Sequence, residues 1–402
     1  MSQRMEKTII FMALIVIFSI ISLWIPQDIN ACTAFKIKYA GDIFVGKNYD
    51  WIVGEGLIVV NKRGVSKTAV PTFFDKNYES EKFVSWKSKY GSVTFNQFGR
   101  EWPFGGINEA GLVVEGLAFP DTETPEPDSR SSISALQLCQ FHLDNFSSVK
   151  EVINSEKLLR IMPSKLPAGH LFITDTTGNT AVIEYINGKQ IYYTDESMPY
   201  EVLTNSAYAK SIEFYRKNKI PRRDKGKSIE RFISAARMLQ NYDADTSTSL
   251  LDYSFKILEN VSWKEKRSLG KLNILMETKW SIVYDVNRLR IYFRTSNNPN
   301  IRMINLKSFD FACATPIKVL DINTRISGDV TGVFTVYTPQ INNTLVKTVF
   351  EKTPYPFLYG LDFKFFVHLI KSGFSEFPEH PAKNIETLIT YPGTTVCKKQ
   401  NM

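Results

Sequence analysis

Residues 30–51 read Asn30-Ala31-Cys32-Thr33-Ala34-Phe35-Lys36-Ile37-Lys38-Tyr39-Ala40-Gly41-Asp42-Ile43-Phe44-Val45-Gly46-Lys47-Asn48-Tyr49-Asp50-Trp51. Phe35, Ile37 and Tyr39 alternate with Lys36 and Lys38, the two-residue period of a strand with one apolar face. Gly41-Asp42 supplies a turn and Ile43 to Val45 resumes an extended run, so the stretch predicts a hairpin. Its return strand carries Lys47, Asn48, Asp50 and Trp51 back toward Cys32. A chain cut before Cys32 would begin with a residue that holds both a thiol and a free α-amino group. The amine titrates near ~8 and the thiol near ~8.5, close enough to neutrality for the amine to take the thiol proton and later return it to a leaving amine.

The upstream segment reads as an export signal over residues 1–31. Arg4 and Lys7 precede an almost wholly apolar run from Ile9 to Ile25, Pro26 ends it, and Ala31 places a small residue before Cys32. Ile29 is bulkier than the residue preferred three positions before a cut, and two other readings stay open. An uncleaved anchor is one, since a run of seventeen residues is at the short end of what crosses a bilayer. The other is a lipoprotein-like box, Ile29-Asn30-Ala31-Cys32, in which lipid on the Cys32 sulfur would remove the nucleophile. The expectation is an exported protein, periplasmic or secreted, with lipid or membrane attachment as the alternatives.

Removal of 31 residues leaves 371 of the 402, enough for one large compact domain or two small ones, and 28 Phe with 18 Tyr supply aromatic mass for a core. The formal charge of +8 is spread along the chain and concentrates only at 215–231, and no nucleic-acid motif accompanies it; ordinary solubility accounts for it better than a nucleic-acid partner. Four histidines and the four cysteines Cys32, Cys139, Cys313 and Cys397, no two of which share ligand spacing, make a dedicated zinc site improbable. Cys139 sits on a helical apolar stripe, where a thiol is usually core, and Cys313 with Cys397 is a candidate disulfide by elimination. A papain-like protease fits poorly, because none of the histidines carries a recognisable motif.

Further strands are expected at Leu57–Val60, Ser92–Phe95, Leu112–Ala118, His170–Thr174, Thr180–Ile186 and Lys189–Tyr193, the last two joined by Asn187-Gly188. Trp280–Asp285 and Leu289–Arg294 form a second hairpin, and Thr331–Tyr337 and Asn342–Phe350 read as extended. Helical spacing appears at Ser131–Leu143, Val149–Val152, Leu251–Leu258 and Phe363–Lys371, and after Ser228, where Ile229, Phe232, Ile233, Ala236 and Leu239 share a face. Successive antiparallel strands favour layered sheets over a doubly wound parallel one. Thr204, Asn205 and Ser206 end a short apolar run, placed either to meet a substrate or to cap a helix. Arg231 lies beside the apolar stripe of its helix, facing inward to a carboxylate or substrate, or outward to solvent. For chemistry at Cys32, Asp50 is the carboxylate to orient an ammonium and Lys47 the charge to favour a thiolate.

Taken together, Cys32-Thr33, Gly46-Lys47-Asn48-Tyr49-Asp50-Trp51, Gly106-Ile107-Asn108-Glu109-Ala110-Gly111-Leu112, Leu203-Thr204-Asn205-Ser206, Ser228-x-x-Arg231-Phe232 and Trp280-Ser281-Ile282-Val283-Tyr284-Asp285 resemble the choloylglycine hydrolase and penicillin V acylase family. These are N-terminal nucleophile hydrolases. The resemblance implies an α+β fold, a four-layer αββα sandwich of two stacked, mainly antiparallel sheets, formed by a single domain over 32–402 with 360–402 a C-terminal helical extension. It implies hydrolysis of a linear, non-peptide amide without metal or cofactor, often in a homotetramer. Carried onto this chain, Cys32 is nucleophile and base, Asp50 holds the amine, Asn205 binds the amine or reacting carbonyl region, and Arg231 supports the charged site. Tyr49, Trp51, Phe104, Ala118 and Phe119 are candidates to line a pocket for a small-molecule amide with an apolar acyl group, although such aromatics are often simply core. A conjugated bile salt stands first among substrates, with penicillin V or an acyl-homoserine lactone as alternatives, and a catalytically decayed envelope binding protein as the reading without turnover.

Two positions depart from the family pattern. Lys47 stands where arginine is usual, which keeps the charge and loses the planar fork. Ala118 stands where the family often carries asparagine or tyrosine linked to the oxyanion hole, and alanine has no side-chain donor.

Overall fold

The computed structural model describes residues 32–395 and Cys397, apart from 73–74, 76–79, 165–168, 219–226, 244–247, 270–271 and 354–384. The export segment 1–31, the Phe363–Lys371 helix and most of the basic stretch 222–227 lie outside the described residues.

The opening hairpin forms as its alternation predicts, Thr33–Tyr39 against Asp42–Trp51, with Ala40 and Gly41 taking positive φ at the turn. It sits inside an eight-stranded sheet. Val202–Leu203 flanks the first strand, and Leu272–Asp285 pairs with the second before the sheet continues through Arg290–Thr295 and Asn298–Asn305. A nine-stranded sheet holds Leu57–Asn61, Ser92–Asn96, Pro103–Asn108, Val113–Leu117, His170–Thr174 and Thr180–Ile186 near its centre. Nearly every pairing is antiparallel. Side chains from both sheets, among them Val45, Val93, Phe95, Ile107, Phe172 and Tyr284, close one apolar core between them. At Gly46 the backbone passes so near the Phe35 ring that a Cβ would overlap it.

Helices cover the outer faces and complete four layers, the α+β sandwich expected. Ser228–Gln240 and Leu250–Asn260 lie against the hairpin sheet, and Ala135–Asn145 lies on the other. The helix expected from Ser131 starts later, because Ser131–Ile133 forms a short parallel pair with Leu159–Ile161 and the helix then begins after Ser134. A larger correction concerns Asn342–Phe350, expected as extended: it belongs to the helix Pro339–Lys352. Its Val, Thr and Phe content resembles a strand. However, Thr338 caps the Ile341 N–H, Pro339 opens the first turn, and Leu345, Val346, Val349 and Phe350 recur on one buried face. Thr331–Tyr337 is also less regular than expected, a single 3-10 turn at Thr331–Val333 followed by a two-residue strand.

Within the C-terminal extension the described part is the helix Glu386–Thr394 and its surroundings. Arg100 donates to the carbonyl of Pro392 and to Thr395, the Tyr391 hydroxyl donates to the Thr68 carbonyl at 2.8 Å, and the Tyr391 ring packs on Trp102. Cys313 and Cys397 are joined, with Cα atoms 5.5 Å apart across 84 residues of sequence. Closing so long a loop restricts the unfolded chain. Cys397→Ser is therefore expected to lower stability by about 2–4 kcal/mol, read as a lower urea midpoint together with faster proteolysis near the C-terminus. An unchanged midpoint would show that the bridge contributes no stability.

Candidate active site

The hairpin register positions the site. Thr33 stands opposite Asn48, so Cys32 emerges beside Tyr49 and Asp50, and the neighbouring pairing of Ala34 with Leu203 brings the following residues Thr204 and Asn205 to the same end. The helix that begins at Ser228 lies across this end, and its first turn aims Arg231 inward. Arg231 Nη1 donates to the Cys32 carbonyl at 2.8 Å and to Thr33 Oγ1 at 2.7 Å; Nη2 donates to Asn205 Oδ1 at 3.0 Å. Asp50 Oδ2 lies 3.9 Å from the same guanidinium. Cys32, Asp50, Asn205 and Arg231, expected to act together, thus meet in one buried cluster.

Asp50 is the unusual member. Its side chain is enclosed, and neither carboxylate oxygen has a hydrogen-bond partner of standard geometry. Burial pushes its carboxyl up to about 7, against the pull of Arg231, Thr278 and Lys47. In the 402-residue chain the Cys32 nitrogen is still in a peptide bond with Ala31. Burial also raises the Cys32 thiol, Asp50 adds to the rise, and Lys47, the Asp50 backbone N–H and Arg231 draw it down.

Lys47 points between the sheets, 1% exposed, where its ammonium donates to the Gly116 carbonyl at 2.6 Å and stands 3.6 Å from Glu115 Oε2. Ala118 contributes its backbone: its carbonyl accepts from Asn205 Nδ2 at 2.8 Å. The loop after Val113–Leu117 and the loop after Val202–Leu203 are joined by this bond.

Of the expected pocket residues, Tyr49 stacks on Trp280 with centroids 4.4 Å apart and meets Phe104 at 4.9 Å, while its hydroxyl donates to Gln97 Oε1 at 2.8 Å. Trp51 and Phe104 are half-buried on the same side. Phe119 is a correction. Its ring is 0% exposed and stacks on His170, 4.7 Å between centroids and 6° between planes, so it is core and forms no pocket wall.

Four residues at the site escaped the sequence reading. Thr33 gives Arg231 an acceptor, and Thr278 sits opposite Asp50 in the sheet. Glu115 and Tyr284 form a buried hydrogen-bonded pair beneath Lys47. A lone acid within Leu112–Ala118 and a lone lysine within Ile43–Tyr49 were the available signal for that last group.

The chain is similar to several known proteins. Residues 32–224 match the linear amide C-N hydrolases, choloylglycine hydrolase family. A penicillin V acylase of Pectobacterium atrosepticum is 28% identical over 267 residues, 57% of this chain and 69% of that protein. The structure of penicillin V acylase from Agrobacterium tumefaciens superposes with TM-score 0.63 at 24% identity, over 77% of this chain and 98% of that one. A variant of the conjugated bile acid hydrolase of Clostridium perfringens does so with TM-score 0.59 at 21% identity, over 74% and 98%.

Proposed function

We propose that this enzyme, whose residues 32–224 match the choloylglycine hydrolase family of linear amide C-N hydrolases, uses Cys32, freed as the first residue by removal of 1–31, to hydrolyse an acyl amide with an apolar acyl group. The observation that carries the reading is the buried Asp50 carboxylate near Cys32, with neither oxygen in a hydrogen bond of standard geometry and the Arg231 guanidinium 3.9 Å away. A buried carboxylate whose nearest cation stands 3.9 Å away is only partly compensated, and an α-ammonium on Cys32 would supply the close donor it lacks.

In the proposed mechanism the amine draws the proton from the thiol and the thiolate attacks the amide carbon. A tetrahedral oxyanion forms; its collapse expels the amine product, which takes the proton back, and leaves a thioester on Cys32. Water then attacks the thioester with the α-amine as base, releasing the acid and restoring the thiol. Arg231 has a positioning part, tying the Cys32 carbonyl, Thr33 and Asn205 to one guanidinium. Asn205 is the side-chain donor proposed for the oxyanion. Its Nδ2 carries two hydrogens and commits one to Ala118, and loss of one oxyanion donor costs ~3 kcal/mol.

For the substrate, the likeness to a penicillin V acylase favours a phenoxyacetyl-type amide. The fold shared with a conjugated bile acid hydrolase keeps a steroid amide as the second reading. Intact-mass analysis of the exported protein, followed by hydrolysis of penicillin V, glycocholate, taurocholate and a long-chain acyl-homoserine lactone, tests both parts. A mass that starts at Cys32 with turnover of penicillin V above the others is expected. An N-terminus upstream of Cys32, or lipid on it, with turnover retained, would end the nucleophile assignment. No turnover from a protein that begins at Cys32 would favour the binding-protein reading.

A further inference from the structure

Beneath the nucleophile, three side chains from three strands meet in the core. Lys47 comes from the strand that pairs with Cys32's own, Glu115 from the facing sheet, and Tyr284 from the strand on the other side of Lys47. All three are at most 2% exposed. The Tyr284 hydroxyl donates to Glu115 Oε1, and Glu115 Oε2 lies 3.6 Å from the Lys47 ammonium, whose hydrogen bond goes to the Gly116 carbonyl instead. Space for the carboxylate is provided by Gly105, where a Cβ would overlap Glu115. The thiol of Cys139, on the helix covering this sheet, also faces the acid.

A buried acid one ion-pair distance from the lysine nearest the nucleophile has a direct electrostatic consequence. Lys47 is the strongest of the groups that favour a Cys32 thiolate, and Arg231 adds to it; Asp50 opposes it. A negative charge on Glu115 cancels part of the field that Lys47 projects. We propose that Glu115 is a positioning residue for Lys47: its protonation, governed by the Tyr284 hydrogen bond, sets how much of the lysine's charge reaches the Cys32 thiol. The inference rests on the proposed role of Cys32.

The sign follows from which state is charged. Burial pushes the Glu115 carboxyl up to about 7, while Lys47 and Tyr284 hold it down. Below neutrality Glu115 is therefore neutral and Lys47 acts unopposed, favouring the thiolate. Above it the carboxylate forms and the thiolate loses part of its support. Burial and Glu115 together push the Cys139 thiol up to about 12, so it stays protonated through this range and does not contribute. The thiolate of Cys32 thus forms over a broader pH range than a lone group would show.

The test is the pH dependence of iodoacetamide alkylation at Cys32, read by mass on the N-terminal peptide of the cut protein, beside the pH profile of kcat/KM. Glu115→Gln is expected to move the alkylation midpoint down by about one unit and to sharpen the curve to a single titration. Removing one member of a buried pair is destabilising, and Tyr284→Phe serves as the milder variant. Without the hydroxyl the carboxyl titrates higher, so its midpoint should move in the same direction by less. Unchanged or raised midpoints in the variants that fold would overturn the proposal, whatever the role of Cys32. Turnover surviving in Cys32→Ala would instead overturn that role, while a lowered midpoint would still place Glu115 in control of the thiol.

Discussion

Cys32→Ala is expected to bring turnover of any amide the enzyme hydrolyses to background, a fall of about 10⁴-fold or more in kcat, with the fold retained. Two observations set the size of this effect. Cys139 is buried, its thiol pushed up to about 12, and it packs beside the Phe104 carbonyl, so it cannot take over as nucleophile. The α-amine survives the substitution and can still direct a water, which leaves only the small residual rate of a positioned general base. Structurally the change removes one sulfur from a nearly closed site, a loss on the order of 1 kcal/mol that leaves a cooperative unfolding transition. Cys32→Ser keeps a hydroxyl in place of the thiol but loses the more acidic and more nucleophilic sulfur, and should fall almost as far. Cys139→Ala should keep its rate. Substantial turnover in Cys32→Ala, with penicillin V or a conjugated bile salt as substrate, would remove the nucleophile from Cys32 altogether.

The hairpin that presents Cys32 was legible because it is local: strict alternation, a Gly-Asp turn and a return strand lie within twenty residues. Asp50 could be placed near Cys32 by the same register. Arg231 and Asn205 were harder, since spacing along one helix says which side faces in but not which strand it meets; the family resemblance supplied that link. Glu115 was not found. Its strand reads as buried and apolar with one acid, a pattern that looks like a half-exposed edge until the facing sheet brings Lys47 and Tyr284 to it. The helix Pro339–Lys352 was misread because Val, Thr and Phe weigh toward strand, while its evidence lay in a Thr-Pro cap and a four-residue repeat. Phe119 failed for the opposite reason. An aromatic next to a site motif is as easily core, and here the ring stacks on His170.

Asp50→Asn is expected to do two opposite things, lowering kcat by about 10²–10⁴-fold in the cut enzyme while stabilising the uncut chain at neutral pH. The first follows from losing the carboxylate that orients the α-ammonium. The second follows from the carboxyl's folded-state value, raised from 3.8 to about 7 by burial. Between those values the native state holds a proton that the unfolded chain has released, so stability falls as pH rises through the window and levels off above 7. A shift of about three units corresponds to roughly 4 kcal/mol. Asparagine avoids that charge but buries an amide with unmet hydrogen bonds, which returns about 1–3 kcal/mol. The net gain in the uncut chain is about 1–3 kcal/mol at pH 8 and is lost near pH 4, close to the unfolded carboxyl's own 3.8, where little charge penalty remains to offset the amide's cost. Cutting before Cys32 changes the balance, because the new ammonium meets the carboxylate and removes the penalty; in the cut protein Asp50→Asn should then be destabilising. Urea unfolding at pH 4 and pH 8, on cut and uncut forms of both proteins, reads the sign directly. Equal effects of the substitution in the two forms would mean that the amine of Cys32 does not reach Asp50.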